Sequence, residues 1–202
     1  YLFLDEVQNI GGWPLFVNRL LRQKMHLIVT GSNAKLLSNE LTTHLTGRHH
    51  KITLFPFSFE EYARMKQLDT QALTTKGQAA VKRELNTYLM NGGLPELLIE
   101  KDSQGYIMAL LEAIIKRDIT SRFKVRYPEV LQRLATYLID NFAQEYNATT
   151  IAELLGVSDH TIDTYCGYLQ EAFLLLALKK FSYKSRERIR DSKIYVIDNA
   201  FI

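Results

Sequence analysis

The 202-residue chain is 47% hydrophobic with a formal charge of +3, so it can bury roughly 70% of its unfolded surface in one or two domains and is too weakly basic to bind nucleic acid over its whole surface. Its single cysteine, Cys166, excludes an internal disulfide and an all-cysteine metal site. The apolar run Ala172–Leu178 falls far short of the roughly 20 residues that a spanning helix needs. A soluble, cytoplasmic protein with no secretory leader is therefore expected.

The first third alternates strand and helix patterns. Tyr1–Leu4 is a short apolar run with an acidic end, suited to a buried parallel strand. Trp13–Arg22 spaces Trp13, Phe16, Val17, Leu20 and Leu21 as a helix face, with Pro14 in the turn that tolerates proline. Met25–Thr30 reads as a second strand, 34–45 as a helix and Lys51–Phe55 as a third strand. This order predicts a parallel sheet with covering helices.

The middle reads as helical. Phe59–Lys66 is short and 68–77 reads as a loop. Gln78–Asn91 is a helix stopped by Gly92-Gly93, and Gln104–Val125 is a long helix with Ile107, Leu110, Leu111, Ile114, Ile115 and Ile119 on one face. Asp118 is placed to pair with Arg122 one turn on. A further helix runs from Pro128 to about Tyr146. The final part changes to a short helix at Thr150–Leu155, a turn at Gly156-Val157, a longer helix at Ser158–Leu175, and strands Leu176–Phe181 and Lys193–Ile197 around a basic loop. That order is the pattern of a winged helix-turn-helix. The expected domains are an α/β core at 1–58, a helical lid at 59–127 and a winged helix-turn-helix at 128–202.

Ligands of open parallel sheets bind beyond the carboxyl ends of the strands, and that is where Asp5 and Glu6 fall. In such a place Asp5 holds Mg²⁺, directly or through water, and Glu6 orients and deprotonates an attacking water, a role worth about 10²–10⁴ in rate. The plainer alternative is a strand that ends in a solvated acidic turn. The next strand, 27–33, also ends in small polar residues. Ser32 or Asn33 then reaches a phosphate or the attacking water; the plainer alternative is a cap on the following helix, and the two residues can also divide these roles. Thr46-Gly47-Arg48 follows, in which Arg48 is either a surface residue or an arginine finger toward phosphate. His49 and His50 are neighbours, and strand neighbours point to opposite faces, so no shared metal is assigned to them.

At the C-terminal end Ser158 caps the second helix of the pair and exposes Asp159, His160, Thr161, Asp163 and Thr164. The two aspartates suit phosphate poorly. The loop beyond is better matched, because from Lys179 to Arg190 the cations Lys179, Lys180, Lys184, Arg186, Arg188 and Arg190 stand against Glu187 alone, with Phe181 and Tyr183 between them. Such a stripe fits DNA backbone contact. The alternative is a protein-docking or packing module whose charges are solvated.

Five segments in order carry a resemblance: 1–10 (YLFLDEVQNI), 28–34 (IVTGSNA), 45–48 (LTGR), 54–62 (LFPFSFEEY) and 91–96 (NGGLPE). The chain resembles the prokaryotic AAA+-like P-loop ATPases that carry a C-terminal domain of unknown function. The likeness runs on through Lys116-Arg117-Asp118-Ile119 to Lys193–Asp198 and covers essentially the whole chain. It implies an α/β remnant of a P-loop core, a lid and a winged helix, with Asp5-Glu6 as the Walker B pair. It implies ATP and Mg²⁺ as cofactors of a longer parent, and ATP hydrolysis coupled to DNA or to a protein partner or second copy, with no membrane role. The family pattern also has a Gly-Lys-Thr or Gly-Lys-Ser loop upstream and a restriction-endonuclease-like part downstream. No Gly-Lys dipeptide occurs here, so the chain reads as truncated at both ends. A winged-helix regulator or interaction module without ATPase activity is the alternative.

The backbone amides and lysine of that loop cradle the phosphates. Calorimetric titration of the 202-residue chain with ATP should therefore show no tight binding, and a micromolar dissociation constant would contradict the reading.

Overall fold

The computed structural model describes residues 1–32, 49–100, 102–181, 183 and 192–202. It divides into two units, Tyr1–Leu54 and Phe55–Ile202. The helix anticipated at 34–45 lies outside the described residues.

In the first unit, strands β1 (Leu2–Leu4) and β2 (Leu27–Val29) pair in parallel, with Leu2 opposite Leu27 and Leu4 opposite Val29. A parallel pair needs a crossover, and helix α1 (Trp13–Arg22) supplies it. Gly12 enters α1 at φ 77°, a left-handed angle that glycine takes without steric cost, and Pro14 occupies the first turn. Trp13 and Val17 are buried with Val7 against Leu4, Leu21, Leu27 and Val29, which covers one face of the strand pair. The third strand anticipated at Lys51–Phe55 does not form. Among the described residues the parallel sheet has two strands, and Ile52 and Leu54 stand 83% and 90% exposed. An apolar run without a ladder partner has no place for its backbone donors and acceptors and stays extended and irregular.

The second unit begins with α2 (Phe59–Met65), which opens on a capping box between Ser58 and Glu61. Helix α3 (Thr75–Asn91) starts three residues before the anticipated Gln78, because the Thr74 hydroxyl accepts the Gly77 amide and caps the helix there. Phe59 and Tyr62 stack, and Tyr88 of α3 meets Phe59 edge-on and Tyr62 at a tilt. Helix α4 (Ser103–Ala113) does not continue to Val125 as an α-helix. It passes into a π-helical stretch, Ile114–Thr120, in which the Thr120 hydroxyl donates to the Ile115 carbonyl five residues back. Ile115 and Ile119, both on the anticipated apolar face, are buried in the core. Asp118 and Arg122 pair at 3.4 Å, as their spacing suggests.

Helix α5 (Pro128–Asp140) also stops short of the anticipated Tyr146. The chain leaves the helix at Asn141, and the amides of Ala143 and Tyr146 donate to the Ile194 and Ser192 carbonyls at 2.7 and 2.8 Å. Residues 142–146 are thus diverted to the edge of strand β4. Helices α6 (Ala148–Leu155) and α7 (Asp159–Glu171) follow, joined by Gly156 at φ 70°. Strands β3 (Leu175–Lys179) and β4 (Ser192–Val196) pair antiparallel. Leu131, Leu134, Ile162, Leu169, Leu174 and Leu175 are completely buried where α5, α7 and β3 meet. The chain is thus mixed α/β, with seven α-helices among the described residues, none long and apolar enough to cross a membrane.

The C-terminus clasps the turn after α3. Asp198, itself buried, accepts the Gly93 amide at 2.8 Å through one oxygen and the Ala200 amide at 2.9 Å through the other. Asn199 donates to the Leu89 carbonyl at 3.1 Å. Gly92 has φ 80°, and a Cβ there would lie 1.7 Å from Asp198 Oδ1. Gly92→Ala should therefore cost more than about 2 kcal/mol, since it adds both overlap and an unfavourable φ. Gly167→Ala, inside α7 with nothing within 4 Å of its added Cβ, should gain up to about 1 kcal/mol. Urea denaturation of the two variants checks both signs.

Candidate functional site

The parallel register of the first unit carries on one step past the strands. The Thr30 amide donates to the Leu4 carbonyl at 2.9 Å, which sets Asp5 beside Thr30. Register partners in a parallel pair project to the same face. This is the face of Phe3 and Ile28, which α1 leaves 70% and 47% exposed. The Thr30 hydroxyl donates to Asp5 Oδ1 and accepts the Glu6 amide at 3.3 Å. Ser32 Oγ donates to Glu6 Oε2 at 3.4 Å. Two carboxylates and two hydroxyls therefore converge at adjacent strand ends, with Asp5 and Thr30 exposed and Glu6 and Ser32 half-buried.

Glu6 occupies this corner at φ 48°, ψ 43°. A left-handed angle is uncommon for a residue with a Cβ and costs about 1–2 kcal/mol. The Val7 amide, donating to the Thr30 carbonyl at 3.4 Å, and the 3₁₀ turn Val7–Asn9 hold it there. Lys24, Gln67, Ala143 and Phe173 are further non-glycine residues with positive φ; at Glu6 the surrounding hydrogen bonds offset the cost. Asn33 and Arg48, the other residues anticipated at this site, lie outside the described residues. Thr30 is the residue that strand periodicity overlooks. Its signal is its place one position after the last paired residue of β2, opposite Asp5, and reading that signal requires knowing the register.

The donor set is made of hard oxygens. Among the described residues no group of three or more His, Cys, Asp or Glu is arranged to hold a metal ion. A site with one or two carboxylates fits Mg²⁺, which keeps several waters and takes phosphate oxygens as its other ligands.

The other anticipated site lies in the second unit. Lys179 ends β3 opposite Ser192, and Lys180 follows it, both exposed. Phe181 and Tyr183 are 84% and 93% exposed and meet edge to face at 5.5 Å. Lys184, Arg186, Arg188 and Arg190 lie outside the described residues. Ser158 caps α7 by accepting the Thr161 amide at 3.2 Å. Asp163 accepts the Tyr146 hydroxyl at 2.8 Å. The Cys166 thiol is buried, and burial pushes its pKa up to about 11. It therefore stays protonated and unreactive at neutral pH.

Residues 1–63 match the family described as AAA domain, and residues 82–202 match the family described as Domain of unknown function (DUF8612). An uncharacterized protein of Methanocaldococcus jannaschii is 34% identical over 206 residues, a match that covers 98% of this chain and 46% of that relative. An uncharacterized protein of Haemophilus influenzae is 30% identical over 208 residues, covering 98% of this chain and 50% of the relative. The chain thus spans about half the length of these curated relatives. No solved structure matches it.

The left-handed angle at Glu6 has a measurable consequence. Glu6→Gly should be more stable than Glu6→Ala by roughly 0.5–1 kcal/mol, because only the glycine is relieved of the steric cost and its greater unfolded-state entropy offsets part of the gain. Chemical denaturation of the two variants measures the difference, and equal stabilities would place Glu6 outside the left-handed region.

Proposed function

The chain belongs to the family described as Domain of unknown function (DUF8612), and from that premise and its AAA domain match we propose that it forms the strand-end half of an ATP-hydrolysing site, coupled to a C-terminal unit that engages DNA. The observation that carries the first part is the convergence of Asp5, Glu6, Thr30 and Ser32 at the carboxyl ends of two paired parallel strands. Nucleotides bind in this position on open α/β sheets.

Asp5 is the residue to hold Mg²⁺, directly or through water. When bound, that ion offsets negative charge on the phosphates during transfer. The Thr30 hydroxyl occupies Asp5 Oδ1 and aims the carboxylate. Its second hydrogen bond, from the Glu6 amide, ties the corner of the chain to β2. Glu6 is the general base. Its carboxylate accepts a proton from the water that attacks the terminal phosphorus, and Ser32 orients the Glu6 carboxylate through Oε2. Ser32 or Asn33 is the polar sensor of the phosphate, and Arg48 the arginine finger, acting within the chain or on a second copy.

The DNA reading of the second unit is supported by the helix pair α6–α7, the tight Gly156 turn and the antiparallel ribbon β3–β4, an order shared with winged helix-turn-helix domains. It is supported too by the cations Lys179, Lys180, Lys184, Arg186, Arg188 and Arg190, among which Glu187 is the one acidic residue between positions 179 and 190. Nucleotide state in the first unit would then bias how the second meets DNA.

The decisive variant is Glu6→Gln in the full-length protein. ATP should still bind, while steady-state phosphate release falls by about 10²–10⁴, the usual worth of a general base. Unchanged turnover would remove Glu6 from the chemistry.

A further inference from the structure

A groove of about 640 Å³ opens between the segment 124–127 and the N-terminal half of α7. No carboxylate is among the described residues that line it, while Lys124, Arg126 and His160 are. The segment that carries the two cations is held in place by its neighbours. Phe123 stacks flat on Tyr168, with ring centroids 4.0 Å apart and planes inclined by 10°. The Tyr127 amide donates to the Tyr165 hydroxyl at 2.9 Å. Phe123 and Val125 pack against the hydrophobic core, whereas Lys124 and Arg126 alternate with them and are exposed. The Arg126 guanidinium lies over the Tyr127 ring at 5.1 Å.

The acidic residues of α7, which argued from sequence against phosphate contact, belong to another side of the helix. Asp163 is engaged by Tyr146, and Asp159 Oδ1 accepts the amide of His160. Neither lines the groove. The groove side presents Ser158, Thr161, Thr164 and Tyr168 instead, at the three-to-four-residue spacing of one helical face. Ser158 and Thr161 hydroxyls share one hydrogen bond at 2.9 Å. One hydroxyl proton makes that contact and the other is left to donate to a ligand oxygen, while the Thr164 hydroxyl donates to the His160 carbonyl at 2.7 Å.

We propose that this groove seats the sugar-phosphate backbone of duplex DNA, with Lys124 and Arg126 as its cationic wall and the hydroxyl side of α7 as its polar floor. The inference rests on the DNA reading above and deepens it by moving part of the contact from the ribbon to the segment that precedes α5. Arg126, lying over the Tyr127 ring, and Lys124, on a segment pinned through Phe123 and Val125, neutralise phosphates at less entropic cost than cations on a free loop. The α7 amino terminus adds a favourable field for phosphate.

The test is fluorescence anisotropy with a labelled mixed-sequence duplex, titrated with the chain over a salt series. Three proteins are compared: the unaltered chain, Lys124→Gln with Arg126→Gln, and Lys179→Gln with Lys180→Gln. All four side chains are exposed, so both variants should stay folded, and loss of the Arg126–Tyr127 contact should lower the melting temperature only slightly. The groove variant should bind about 10-fold more weakly at physiological ionic strength, and its slope of log affinity against log salt should be shallower by about 2, one per lost phosphate contact. An unchanged slope and affinity in the groove variant, alongside weakened binding in the ribbon variant, overturns the groove and leaves the DNA reading standing. Absence of binding by the unaltered chain at low salt overturns both.

Discussion

The candidate catalytic corner depends on the register between β1 and β2. Parallel strands with Leu4 opposite Val29 must bring the next residues, Asp5 and Thr30, side by side on one face. A slip of one residue would turn Thr30 to the opposite face and leave Asp5 without its hydroxyl partner. The register is held by apolar burial rather than by the polar residues themselves. Leu4, Leu27 and Val29 pack with Trp13 and Val17 of α1, and a one-residue slip would turn one strand's apolar residues away from them. The chemistry at the strand ends is thus positioned by packing on the other side of the sheet.

In the second unit a comparable role falls to tertiary backbone pairing. Residues 142–146 have the apolar spacing of a continuing helix, yet their amides are better used on β4, where the Ile194 and Ser192 carbonyls receive them. The same ribbon returns the chain to Asp198. There a buried carboxylate satisfies two amides at once and ties the C-terminal residues to the Asn-Gly-Gly turn after α3. Neither glycine of that turn is free to vary. Gly92 needs its positive φ, and a Cβ on Gly93 would lie 2.2 Å from the Phe57 carbonyl. The turn therefore acts as a joint between α2, α3 and the chain end.

The surface of α7 shows how misleading a residue inventory can be without orientation. Two aspartates in its first turns suggest repulsion of phosphate. Helical geometry puts them four residues apart on one side, and Tyr146 occupies one of them. The neighbouring side, toward Lys124 and Arg126, carries hydroxyls and an imidazole. A helix can be acidic on one face and suited to anions on the next, because 3.6 residues per turn separates the two.

Much was legible beforehand. The strand-helix-strand opening, the Ser158 cap, the Gly156 turn, the glycine stop after Asn91 and the strand pair at the C-terminal end all follow from local pattern and capping chemistry, which depend on nearby residues alone. So does the placing of Asp5 and Glu6 at a strand end. What local pattern does not contain is partnership. It assigned a strand to 51–55, where no described strand pairs with it, and ran two helices past the points where a π-helical turn and a ribbon edge claim them. It passed over Thr30, whose meaning comes from a residue 25 positions away. The sequence by itself determined which residues carry charge, hydroxyl and conformational freedom, because those are properties of single side chains and short spacings. Only the tertiary structure decided which of them meet, because strand register and helix orientation are set by what each element buries against its neighbours.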